Sequence, residues 1–140
     1  MKSDANVPNI LKQDGVLHSV FDMANQGITH IPDLIKKYGK NKSWSHTLVD
    51  TESNSATLIC QLPGEGNRRH HHPDWNEWWF IIDGTWEWDI EGDKKIIKKG
   101  DLVFMPKNKK HKITAIGNEA AIRIAVSRYD VAHVYDMDDY

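Results

Sequence analysis

The sequence predicts an all-β fold, a barrel or sandwich of short strands preceded by a short helical arm. Three observations predict it. From Trp44 onward apolar and polar residues alternate with period two, in runs at 44–49, 56–62, 77–82, 85–90, 94–98, 102–105, 110–116 and 120–127. The separators carry turn chemistry: Pro63-Gly64, Asp83-Gly84, Glu91-Gly92-Asp93, Gly100-Asp101 and Gly117-Asn118-Glu119. The spacing is even, as in barrels and sandwiches whose successive strands are joined by such turns.

In chain order, residues 1–9 read as an arm without regular structure. Ile10, Leu11, Val16, Leu17, Val20 and Phe21 then supply apolar side chains, but Asp14-Gly15 and Asn25-Gln26-Gly27 break the stretch too often for a long element. Ile31, Leu34, Ile35 and Tyr38 follow helical spacing, with Pro32 in the first turn and Gly39 as a stop, so one short helix is expected there. The expected organisation is an N-terminal arm over 1–43, a β-barrel over 44–128 and an acidic tail over 129–140. On the strand from Glu77, Trp79 and Ile81 share the face of Glu77 and should line the interior. Trp78, Phe80 and Ile82 then point outward, which calls for a covering layer, either the arm or a second subunit; a homodimer is expected. Trp86, Trp88 and Ile90 share one face of the following strand, with Glu87 and Asp89 on the other.

At 140 residues the chain has the size of one domain and can bury a core unaided. A net charge of −2 gives no global reason to bind nucleic acid or an anionic membrane. The lysines between Lys94 and Lys112 flank strands and turns, where solvated charge discourages edge pairing. No apolar run approaches the length of a membrane span. The single cysteine, Cys60, allows no internal disulfide and fits a reducing compartment, so a cytoplasmic location is expected.

The chemistry concentrates between Gly64 and Gly84. His70 and His72 are two apart, so on an extended strand both imidazoles leave one face. Pro73-Asp74-Trp75-Asn76 reads as a turn that brings Glu77 back onto that face. Two nitrogens and one oxygen so placed suit a divalent first-row metal, and His111 is the best candidate for a fourth ligand. Gly64-x5-His70-x-His72-x4-Glu77-x6-Gly84 resembles the first motif of the cupin superfamily at every signature position, and Gly100-x5-Pro106-x-Asn108-x2-His111 resembles the second. Asn108 stands where that pattern has glycine, and asparagine tolerates the left-handed backbone region better than most residues. Ala115 stands where the pattern often has asparagine.

The resemblance, over about Thr57 to Ser127, implies a double-stranded β-helix (jelly-roll) barrel holding one divalent metal ion per chain on His70, His72, Glu77 and His111. Fe(II) is favoured, with Mn, Ni, Co or Zn also compatible. Gln61, Trp79, Phe104 and Arg123 are the inward candidates for binding a small-molecule substrate. A cation at Arg123 inside the barrel would pair with an anion or a carboxylate; in the opposite strand phase it would be a solvated surface arginine. Tyr129 and His133 are candidates to close the mouth from the tail. The leading functional expectation is a mononuclear non-haem iron dioxygenase acting on a small oxygenated molecule. The alternatives are a redox-neutral isomerase, lyase or decarboxylase using the metal as Lewis acid, and a non-catalytic ligand-binding module.

Overall fold

The computed structural model of the chain describes residues 3–4, 10–12, 14–128 and 132–135. Residues 1–2, 5–9 and 136–140 and Tyr129, on which expectations for the arm, the tail and the mouth fell, lie outside the described residues. Two six-stranded sheets stack as a jelly roll. One runs β1 (Ser3–Asp4), β12 (His133–Tyr135), β5 (Gly66–His71), β10 (His111–Ile116), β7 (Thr85–Ile90) and β8 (Asp93–Lys98). The other runs β2 (His18–Val20), β3 (Trp44–Asp50), β4 (Ser55–Gln61), β11 (Ala121–Ser127), β6 (Glu77–Asp83) and β9 (Leu102–Met105). All the pairings are antiparallel except β2 with β3.

Each strand read from the alternation is present within about one residue at each end. β1, β2, β5 and β12 are additions to the strands read from the alternation; β1 falls in the stretch read as an arm without regular structure. β5 carries Asn67, Arg68, Arg69, His70 and His71, too polar to announce a strand. It becomes one because β10 and β12 pair with it on either side.

The core inside the barrel joins Trp79, Ile81, Trp86, Trp88, Val103, Met105, Ile113 and Ala115. Period-two alternation places them there: along β6, Glu77, Trp79 and Ile81 are buried, while Trp78 and Phe80 are each 38% exposed. A second apolar layer covers the outer face of β3, β4 and β11. There α1 (Ile31–Tyr38) lays Ile31, Leu34, Ile35 and Tyr38 against Trp44, Leu58, Cys60 and Ile122. Pro32 sits in the first turn of α1, and Gly39 ends it at φ 79°, its N–H donating to the Ile35 carbonyl. Helix α1 therefore covers the β3–β4–β11 side. Among the described residues no helix is long and apolar enough to cross a membrane.

One glycine is required by the packing. A Cβ on Gly66 would lie 1.8 Å from the Ile113 carbonyl oxygen, so only glycine lets β5 approach β10 this closely. The register then sets His70 opposite His111, with an irregularity between His111 and Ile113 that re-aims the strand just at these side chains.

Candidate metal centre

The three expected histidines converge. His70 and His72 come from β5 and the turn after it, and His111 opens β10. They are 2%, 1% and 0% exposed, and one ligand atom from each lies within 4.8 Å of the others. The turn carrying His72 is fixed by Asn108, whose backbone N–H donates to the His72 carbonyl at 2.7 Å. Asn108 holds φ 72°, the left-handed conformation that its place in the motif requires. Glu77, at the start of β6, brings Oε2 to 2.7 Å from His72 Nε2.

Backbone carbonyls decide which ring nitrogen faces the centre. Nδ1 of His70 lies 2.6 Å from the Arg68 carbonyl, Nδ1 of His72 2.9 Å from Ala132 and Nδ1 of His111 3.0 Å from Lys109. A carbonyl only accepts, so each Nδ1 carries a proton, and Nε2 is the nitrogen whose lone pair a neutral ring offers to the centre. That is the outer support metal-binding imidazoles usually have. Nε2 of His111 is buried without a hydrogen-bond partner, while Nε2 of His72 and Oε2 of Glu77 face each other at 2.7 Å. An orphaned buried atom such as His111 Nε2 costs about 1–3 kcal/mol unless something satisfies it. The donor set of imidazole nitrogens with one carboxylate oxygen fits a divalent ion.

Electrostatics keeps two of the rings neutral. Burial, with His111, His133 and His72 nearby, lowers the His70 pKa well below its ordinary value. Burial lowers His111 to about 4. His72 is also pulled down by burial, but the Glu77 carboxylate outweighs this and leaves it raised. Glu77 is pushed up by burial and brought below its ordinary value by His72.

The softer candidates divide. Trp79 is buried, its ring 5.5 Å from His111 and 5.4 Å from Trp88. Arg123 points inward and is fully buried, which settles its strand phase. It donates from Nη1 to Gln61 Oε1 at 2.6 Å and from Nη2 to Asn67 Oδ1 at 2.9 Å, and it stacks 4.5 Å from the Trp86 ring. Gln61, also fully buried, is thereby its partner. Burial lowers Arg123 to about 10, still protonated at neutral pH. Phe104 is a correction. Pairing of β6 with β9 sets Glu77 opposite Met105 and Trp79 opposite Val103, so Val103 and Met105 take the inward face. Phe104, opposite Trp78, is 58% exposed on the outside.

His133, a candidate to close the mouth, is buried on β12 with its ring 4.5 Å from His72 and 5.0 Å from His70. Two further features were not legible from the motifs. Asn67 lies beside Arg123, and Ile10 and Leu11 of the arm are buried with Ile59 and Ala125 near the barrel's open end. The cavity at this end has a volume of about 40 Å³, and its lining includes Glu77, Trp79, Asn67 and His133.

Residues 57–127 match the family model described as the cupin domain, about half of the chain. The chain is a cupin. Among curated proteins, the polyketide synthase CurC of Streptomyces cyaneus is 26% identical over 73 residues, 52% of this chain. The chain spans about half, 47%, of that relative's length. Among solved structures, the polyketide cyclase RemF of Streptomyces resistomycificus aligns with a TM-score of 0.64 at 14% identity, covering 82% of this chain and 89% of its own. A cupin-like protein of Thermotoga maritima aligns at 0.57 and 25% identity, covering 62% of this cupin and 68% of its own chain. Likeness at the level of RemF carries the jelly-roll fold and no more.

Proposed function

We propose that this cupin is a metal-dependent enzyme acting on a small oxygenated molecule, anionic or enolisable, through one divalent ion held by His70, His72, His111 and Glu77. The observation that carries this reading is the convergence of three buried histidines, His70, His72 and His111, with ligand atoms within 4.8 Å of one another, beside the Glu77 carboxylate and with Nε2 of His111 left unpartnered. Three neutral imidazoles and one carboxylate would leave a divalent ion a formal charge of about +1, and in octahedral coordination two further positions. The ion would supply Lewis-acid polarisation of a chelating oxygen, and as Fe(II) a place for dioxygen as co-substrate. The chain's own part is to keep His70 and His111 neutral by burial, to hold each ring by its Nδ1 proton and to exclude water with Trp79.

Fe(II) and dioxygenation are our first reading of the reaction. The redox-neutral reading, an isomerase, lyase or decarboxylase with Mn, Ni, Co or Zn, draws support from the relative CurC, named a polyketide synthase. Polyketides carry carbonyl groups that enolise readily, the kind of oxygen a Lewis acid polarises. A substrate screen run in air and under strict anaerobiosis separates them. Turnover only with dioxygen consumption supports the first, equal turnover without oxygen supports the second, and saturable binding without turnover leaves a ligand-binding module. The expected homodimer remains part of the proposal, supported by exposed Trp78, Phe80, Leu102 and Phe104 on neighbouring strands, with β9 at the sheet edge.

A further inference from the structure

The cavity beside Glu77 is closed by the chain's own N-terminal stretch. Ile10 and Leu11, 4% and 3% exposed, form part of its lining. Its volume of about 40 Å³ holds a water molecule or two, a water's share of the liquid being about 30 Å³. Small-molecule pockets start at about 300 Å³. A groove of about 360 Å³ lies on the other side of Asn67, lined among others by Asp14, Gly66, Arg68 and Lys112. Asn67 borders both spaces.

Asp14 stands at this boundary in an unusual state. Its side chain is 1% exposed, and Oδ1 accepts from Arg68 Nε at 2.7 Å. Oδ2 is buried with no aligned hydrogen-bond partner among the described residues; the Arg68 backbone N–H also supports this carboxylate, yet burial outweighs all of Arg68's help and raises its pKa. A buried carboxylate is costly unless fully paired, so a purely structural ion pair would be expected to satisfy both oxygens. The charge of Arg123 also reaches Asp14, and Arg123 Nε is likewise buried and unpartnered. Asn67 Oδ1 is taken by Arg123 Nη2, which turns the amide N–H groups of Asn67 away from that cation and leaves them to donate elsewhere. A guanidinium, a second cation behind it and an amide donor together form a carboxylate receptor.

We propose that Arg68, backed by Arg123 and Asn67, is a carboxylate-recognition subsite at the entrance to the cavity, that Asp14 fills it in the closed chain, and that a substrate carboxylate takes the place of Asp14 as Ile10 and Leu11 lift away. This rests on reading the cavity beside Glu77 as the active site, and it narrows the substrate class to carboxylates.

Malonate titrated calorimetrically into the protein as purified, and after chelator treatment, tests it. Asp14→Asn keeps the shape and removes the competing charge. It is expected to bind malonate about tenfold more tightly than the parent, the gain from freeing a site self-occupied in about nine molecules of ten. Adding Arg68→Gln to that variant should abolish the gain, with and without metal. Equal affinity in parent and Asp14→Asn, or a gain that survives Arg68→Gln, would overturn the proposal. If Asp14→Asn fails to fold, Leu11→Ala replaces it: faster malonate association supports the closure, and an unchanged rate overturns it. Metal content measured on the same samples keeps the two readings apart. An Arg68-dependent gain in a protein that never holds metal removes the metal reading alone, and bound metal with no gain removes the subsite alone.

Discussion

Acidifying the metal-free protein from pH 7 to pH 5 should cost about 2 kcal/mol of folding stability through His111 alone. Burial holds this imidazole at about 4 in the folded chain, against an ordinary value of 6.5. At pH 5 the unfolded chain therefore carries a proton on His111 in nearly every molecule, the folded chain in only about one in ten. The unfolded state binds more protons, so stability falls as pH falls, beginning near 6.5 and ending near 4. His70, also lowered, acts in the same direction. His72, raised by Glu77, acts oppositely, its contribution being complete below its unfolded value and lost as pH rises through its folded one. Glu77, lowered, loses its contribution only as pH falls below the ordinary carboxylate range, outside this window. Urea unfolding at pH 7, 6 and 5 on chelator-treated protein measures the total, and the same series on His111→Gln removes the titrating ring. The variant should lose about 2 kcal/mol less than the parent over this interval. Equal losses in both proteins would refute the claim that burial sets the His111 protonation state.

Other consequences follow from particular contacts. Gly66→Ala places a methyl against the Ile113 carbonyl, backbone that cannot yield cheaply, and should destabilise by about 4 kcal/mol or more, read by thermal unfolding. Arg123→Met strands the acceptors of Gln61 and Asn67 and should cost about 2–4 kcal/mol in urea unfolding, with Arg123→Lys recovering only part because one ammonium does not span both oxygens. Phe104→Asp, on the exposed face of β9, should leave the unfolding midpoint nearly unchanged while converting a dimer to a monomer by light scattering; a monomeric parent would remove the homodimer.

Much of the site was legible because its signals are local. His70-x-His72 and the turn at Pro73 lie within one strand and its exit, and the spacing of glycines around them carried the family resemblance. Alternation along β6 correctly separated Trp79 from Trp78, since a strand one face of which is buried has only one workable phase. Phe104 failed on that same ground: four residues of β9 give too short a run to fix phase without knowing that Met105 faces Glu77. The extent of β5 back to Gly66 was hidden by its polar composition, and the partner that orders β12 lies more than sixty residues upstream. Burial of Asp14 depends on Arg68, 54 positions away, and no periodicity near Asp14-Gly15 could have reported it. The phase of Arg123 likewise needed the register of β11 between β4 and β6.

The central claim is that side chains from β5, its exit turn, β6 and β10 grip one cation. Metal content per chain, measured by elemental mass spectrometry after dialysis at pH 7 for the untagged parent and for His72→Ala, Glu77→Ala and His111→Ala, tests it most directly. About one divalent ion per folded parent chain and near-complete loss in each variant are expected. A folded His111→Ala protein that keeps the parent's metal content would contradict it.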